Sequence, residues 1–262
     1  MYRSLITRLP ERPVAAPPLL FVHGLWHGAW CWDEYVLPWF AGQGFAAHAL
    51  DLRGHGASDN DRSLRFTRVT HHIEDLASVV ADFSDPPILI GHSMGGLVVQ
   101  RYLEEHDAAG AVLVAPVPVR GALGVTLRTL QRHPLAFLKA NLRLRLGPVV
   151  GTPALARDHL FGWEMPDAET GRHYLRLQDA SYLTYMDMIF RPPRPHRVDT
   201  PILVIGAGHD GLFTSAEMDA TARAYGTELV TIEGAPHDIM LDARWREMAE
   251  TIRDWVAALT LP

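Results

Sequence analysis

Apolar and polar positions along the chain fall into two alternating rhythms. Short apolar runs, bounded by proline, glycine or acidic residues, read as buried strands at 19–22, 45–50, 87–91, 111–115, 201–205 and 228–232. Between them lie longer stretches with the three-to-four spacing of amphipathic helices, at 30–42, 69–83, 95–105 and 245–259. In the second of these, Ile73, Leu76, Val79, Val80 and Phe83 share one helical face. Residues 1–8 alternate like a further strand. Strand and helix in strict turn predict an α/β fold: a mostly parallel sheet of about seven to eight strands flanked by helices.

That rhythm breaks at residues 119–198. The stretch is helical in pattern, studded with prolines and without a βαβ unit. It carries twelve basic and six acidic side chains, a net +6, so the rest of the chain carries −12. The change of texture and charge predicts an α/β core at 1–118 and 199–262 with an inserted helical cap at 119–198. Its arginines read either as solvated helix faces or as a basic surface that attracts anionic substrates or lipid headgroups.

Composition narrows the classes. The 262 residues are 48% hydrophobic and 21% charged, ordinary for a globule with a sizeable core. A net charge of −6 argues against nucleic acid as a partner. Cys31, the single cysteine, excludes an internal disulfide framework and a four-cysteine zinc site. No apolar run is long enough for a transmembrane segment, and the N-terminal stretch lacks the apolar region of a signal peptide. A cytoplasmic protein is the expectation.

The strongest chemical signal is Gly91-His92-Ser93-Met94-Gly95-Gly96, a G-x-S-x-G sequence with a buried strand before it and a helix after it. A serine on such a sharp turn is lifted clear of the sheet, and the N–H of Met94 can face a developing oxyanion. A serine hydroxyl needs a base, and the base needs an orienting acid. Asp210 follows the strand ending at Ile205, and His237 lies in the loop between the last strand and the final helix. The candidate catalytic set is therefore Ser93, Asp210 and His237, each just past a strand end, where parallel sheets bind ligands. Asp238 is the alternative acid. His23-Gly24-Leu25 opens the loop after the 19–22 strand, and the N–H of Leu25 is the candidate second oxyanion donor. Trp26, Trp30 and Met186, with Leu183 and Ile189, are candidates to wall an apolar substrate pocket, or else simply to pack cap on core. His23 and His27 stand four apart, but the intervening glycine argues against a helical metal pair. His71 and His72 read as surface. The chemistry calls for no metal and no cofactor.

Together these residues resemble the α/β-hydrolase superfamily. The likeness spans H-G-x at Leu19–Leu25, D-x-R-G-H-G-x-S from Asp51 to Ser58, G-H-S-M-G-G at Gly91–Gly96, and Asp210 with His237. It implies a mostly parallel sheet with a cap inserted after the sixth strand. The pattern H-G-x-x-H-G-x-W from His23 to Trp30 is similar to that of the branch containing plant methylesterases and hydroxynitrile lyases. Serine at 93 departs from relatives with an aspartate nucleophile. Asp238 stands where the lyases carry a lysine, which disfavours cyanohydrin cleavage. The lipase H-G-G-G loop is absent. The resemblance implies a serine hydrolase that cleaves carboxylic esters through an acyl-enzyme, with short-to-medium acyl or aromatic esters as small-molecule substrates. Carbon–carbon bond hydrolysis, lactone opening and acyl transfer use the same residues. A ligand-binding scaffold without catalysis is the reading from another class.

Overall fold

The computed structural model describes residues 2–60 and 63–259. Seven strands form one sheet: β1 (Leu5–Arg8), β2 (Leu19–Val22), β3 (Ala47–Leu50), β4 (Ile88–His92), β5 (Gly110–Val114), β6 (Ile202–Ala207) and β7 (Leu229–Ile232). Their spatial order is β1-β3-β2-β4-β5-β6-β7, and every pairing is parallel except β1 with β3. Strands β2, β4, β5 and β6 are buried along their whole length, as strands covered on both faces by helices must be. The edge strands β1 and β7 are only partly buried. The sheet matches the expected architecture, with a single leading strand at the antiparallel edge.

Before β5 ends, the chain forms α1 (Trp30–Asp33), α2 (Val36–Gly42), α3 (Val69–Val80) and α4 (Met94–Tyr102). Residues 30–42, expected as one helix, are thus two. Tyr35 leaves helical geometry at φ −137°, and Pro38 falls in the first turn of α2, where its missing N–H has no ladder partner to lose. Between β5 and β6 the described elements are all helical, chiefly α5 (Leu123–Arg132), α6 (Pro134–Arg143), α7 (Pro153–Ala156), α8 (Asp167–Tyr174) and α9 (Tyr182–Phe190). After β6 come α10 (Ser215–Ala224) and, past β7, α11 (Trp245–Leu259). No described helix is long and apolar enough to cross a membrane.

Chain order leaves β2 outward to β3 and then returns to β4 on the other side. The loops after β2 and β4 therefore diverge from neighbouring strands, which opens a crevice between them at the C-terminal edge of the sheet. A buried polar knot secures this edge from below. Asp75 of α3 accepts from Arg3 Nε at 2.5 Å and from Arg53 Nη2 at 2.6 Å and backbone N at 3.0 Å. His72, on the same buried face rather than at the surface, lies 3.9 Å from it and meets Thr184 of α9 at 3.2 Å. Asp187 of α9 takes Arg68 Nη1 at 2.7 Å and the N–H of Val69 at 3.2 Å, so a carboxylate sits at the N-terminus of α3. The helical segment is thereby bolted to the core by polar contacts.

Burial by itself would raise the Asp75 pKa, but the facing His72 and the Arg53 guanidinium outweigh it and hold the carboxyl well below the ordinary carboxylate range. A carboxyl depressed in the folded state stabilises above its unfolded value of about 3.9 and loses that contribution as pH falls below it. Asp75→Ala strands two buried guanidinium groups and is expected to cost about 3–5 kcal/mol in urea unfolding. The variant is also expected to lose less stability than the parent when unfolding is repeated at acid pH.

Candidate active site

Ser93 closes β4 and opens α4 with φ 53° and ψ −117°, a conformation that a non-glycine residue holds only when its surroundings impose it. Those surroundings are close backbone. A Cβ at Gly91 would lie 2.6 Å from the carbonyl oxygen of Gly95, and one at Gly95 would lie 2.4 Å from that of Val22. The chain can make this turn only because both positions lack side chains. On the β2 side, Gly24 packs against the same serine: a Cβ there would stand 3.0 Å from Ser93 Cβ. The next residue, Leu25, and Met94 at the head of α4 both have N–H groups with no acceptor among the described residues. Asp51 shapes the loop from below, accepting from Ala29 N at 2.6 Å and Ala57 N at 3.0 Å. The D-x-R-G-H-G-x-S stretch is thus a brace for the β2 loop.

Asp210 lies three residues past β6. Its Oδ1 accepts the N–H groups of Leu212 at 2.7 Å and Phe213 at 3.0 Å, which fixes the carboxylate plane. The other oxygen meets His237 Nδ1 at 2.8 Å, and both side chains are 1% exposed. Phe213 packs edge-on to the His237 ring at 5.4 Å and also lines the cavity over Ser93. Burial works to lower the His237 pKa; the charge and hydrogen bond of Asp210, with the charge of Asp238, outweigh it and raise the value. Ser93 and His237 are not hydrogen-bonded to one another. They are joined through His92, whose Nε2–H donates to the His237 carbonyl at 3.0 Å and whose ring lies 4.7 Å from that of His237. Hydrogen bonds to a nucleophile are commonly long before substrate binds.

Asp238, the alternative acid, points elsewhere. It is fully buried, with Oδ2 2.9 Å from His27 Nε2 and Oδ1 3.7 Å from His92 Nε2. His27 Nδ1–H donates to the Leu25 carbonyl at 2.7 Å. A carboxylate–imidazole strut therefore links the loop after β7 to the loop after β2. Burial presses the Asp238 pKa upward, and the facing His27, His92 and His237 bring it below the ordinary value. Burial and the nearby His237 push His92 down to about 3, so it is neutral. His23 is neutral as well: Nδ1–H donates to the Gly24 carbonyl at 2.8 Å while Nε2 accepts from Leu52 N at 3.2 Å. Both imidazoles of the discarded metal pair are thus engaged within the protein.

A narrow cavity of about 50 Å³ opens over Ser93, with Leu25 and Trp26 on one side and α5, α6 and α9 above. Trp26 lines it, held at φ 65° with its indole N–H on the Leu146 carbonyl at 3.2 Å. Two expectations are corrected. Trp30 is not a cavity residue: it stacks on His173 at 6.3 Å beneath the Arg176 guanidinium at 4.2 Å, which makes it a contact between core and insertion. Met186, with Leu183 and Ile189, is also absent from the cavity; Tyr182, Tyr185 and Met188 line it instead. Those three recur at three-residue intervals and so share the inner face, while Met186 is rotated about 100° from Tyr185. The sequence reading also missed Val125, Thr129 and Phe137, and Leu212 and Phe213 beside Asp210. Only the amphipathic spacing of α5 hinted at the first two.

Comparison with known proteins agrees with this architecture. A model of the alpha/beta hydrolase family matches residues 19–251. Esterase PIR7B of Oryza sativa subsp. japonica is 34% identical over 259 residues, spanning 89% of this chain and 93% of that protein. Probable esterase PIR7A of Oryza sativa subsp. indica is 29% identical over 241 residues, spanning 86% and 82%. Among solved structures, the monoacylglycerol lipase of Paleococcus ferrophilus superposes with a TM-score of 0.73 at 22% identity, covering 99% of this chain and all of that one, a likeness of fold. With its sheet, its strained serine turn and the matched span together, the chain belongs to the alpha/beta hydrolase family.

Proposed function

We propose that this carboxylesterase-like hydrolase cleaves carboxylic esters with Ser93 as nucleophile, His237 as general base and acid, and Asp210 as the group that orients His237. The observation that carries the reading is the 2.8 Å contact between His237 Nδ1 and an Asp210 carboxylate already pinned by two backbone N–H groups. With its proton held on Nδ1, the imidazole keeps Nε2 free to take the proton of Ser93 as Oγ attacks the ester carbonyl carbon. The negative charge gathers on the carbonyl oxygen, where the N–H groups of Leu25 and Met94 are available as donors. Collapse breaks the bond to the alkoxy oxygen, which takes the proton from His237 and leaves as an alcohol. Water, deprotonated by the same imidazole, then attacks the acyl-enzyme and releases the acid and Ser93.

The cavity supports an uncharged, apolar substrate. No Asp, Glu, Lys, Arg or His side chain is among its lining residues, and several of its polar groups pair with one another: Tyr182 Oη donates to Asn141 Oδ1 at 2.7 Å, and Thr126 and Tyr185 share a hydrogen bond at 2.8 Å. Esters of short-to-medium acyl chains or aromatic acids fit this lining. At about 50 Å³ the cavity is far below the roughly 300–1,000 Å³ of pockets that hold small molecules. The helical segment at 119–198 therefore acts as a cap that must move to admit substrate.

Ser93→Ala is expected to fold normally and to lose turnover of nitrophenyl esters by roughly 10⁴-fold or more, together with labelling by a fluorophosphonate probe. Labelling that persists in the variant would remove Ser93 from the mechanism. Asp210→Asn is expected to lower turnover about 10⁴-fold through the wrong imidazole tautomer. Near-parental activity in that variant would shift the acid to another carboxylate. Because catalysis needs neutral His237, kcat/KM should rise with pH, with a midpoint above the ordinary imidazole value of about 6.5. Across an ester panel, short-chain and aromatic acyl groups are expected to outpace long-chain esters and amides. Preferential turnover of a diketone would redirect the reading to carbon–carbon bond hydrolysis.

A further inference from the structure

The outer surface of α5 and α6 is unlike the rest of the molecule. Among the described residues, seven of the fourteen exposed large apolar side chains fall within residues 123–144, and all seven are leucines. Six of them form two stripes. Leu123, Leu127 and Leu130 recur along α5 at i, i+4 and i+7, and Leu135, Leu138 and Leu142 along α6 at i, i+3 and i+7. Leu135 and Leu142 are 72% and 76% exposed. The opposite faces of the same helices, through Val125, Thr129, Phe137 and Ala140, line the cavity over Ser93. Both helices thus have an inner apolar face with an evident use and an outer one with none.

Charge identifies what the outer face fits. Residues 108–157 contain no aspartate or glutamate. Arg128 and Arg132 are spent on Glu217 and Asp158, which fasten the hairpin to the rest of the protein. Lys139 and Arg143, one turn apart beside the α6 leucines, are exposed and have no carboxylate partner among the described residues. A second copy of the same face would bring these cations against their like with no acid to answer them. An anionic lipid surface answers both features: leucines enter the acyl boundary while the long basic side chains reach phosphate headgroups.

We infer that the α5–α6 hairpin is a docking face for anionic lipid surfaces, laying its leucine stripes on the membrane with Lys139 and Arg143 at the headgroups. Docking puts the helices that roof the cavity in contact with the lipid phase, where apolar esters concentrate. That consequence rests on the ester reading; the docking does not.

The test is co-sedimentation of the full chain with vesicles of phosphatidylcholine alone and of phosphatidylcholine mixed with phosphatidylglycerol. The expected result is binding to the mixed vesicles that weakens as salt is raised. The triple variant Leu135→Ser, Leu138→Ser, Leu142→Ser should bind about tenfold more weakly or worse. The double variant Lys139→Glu, Arg143→Glu should lose the preference for anionic lipid, about tenfold in affinity. These side chains face solvent, so thermal unfolding and hydrolysis of a water-soluble nitrophenyl ester should stay at parental values in both. The inference is overturned by absence of parental binding to the mixed vesicles or by full binding in both variants. A leucine-dependent dimer in light scattering, without vesicle binding, would overturn it in favour of a second copy. Vesicle binding by Ser93→Ala, undiminished, would keep the docking face even if no ester were ever turned over.

Discussion

The arrangement depends on one constraint, the close passage of three backbone segments around Ser93. Strand β2, the turn after β4 and the first turn of α4 approach so tightly that a single methyl at Gly95 would sit 2.4 Å from a carbonyl oxygen. That contact leaves the serine at φ 53°, projecting from the sheet edge where the strand order reverses. A residue stays in such a conformation only where its neighbours over-determine it. Here the neighbours are fully buried central strands, the most rigid part of an α/β sheet. The strain is local, and the strands on either side hold it.

Around this turn the protein has put an unusual amount of buried polar chemistry. His23, His27, His92, His237, Asp51 and Asp238 are all buried. Most are paired with backbone as well as with one another: His92 holds the His237 carbonyl, His27 the Leu25 carbonyl, Asp51 the N–H of Ala29. The loops after β2, β4 and β7 are consequently tied into one body, in which a shift of one would leave buried polar groups unpaired. Tying the loops in this way fixes the relative positions of Ser93, His237 and the N–H groups of Leu25 and Met94. The helical insertion is built differently. Its links to the core are discrete clamps such as Asp187 on α3 and Arg128 on Glu217, and its leucines face outward.

Much of this was legible in the amino-acid sequence because it is local. Central strands declare themselves as unbroken apolar runs, and the Ser93 turn as glycines at fixed offsets between a strand and a helix, since no other residue fits there. What stayed hidden depended on rotation or on distant partners. Apolarity alone does not distinguish the inner face of α9 from its flanks, so Met186 read as well as Met188. His72 looked like a surface histidine until α9 and Asp75 closed over it. The break at Tyr35 within residues 30–42 was masked by an otherwise helical spacing.

The same division separates the two carboxylates near His237. The chain alone determined that an imidazole would lie past the last strand, with acids at 210 and 238 within plausible reach. Adjacent side chains leave the backbone in different directions, however, and only the packed loops decided that Asp210 would meet Nδ1 while Asp238 turned inward to His27. Local order is written in spacing and residue type; the choice between two equally acidic neighbours is made by the surfaces that close around them.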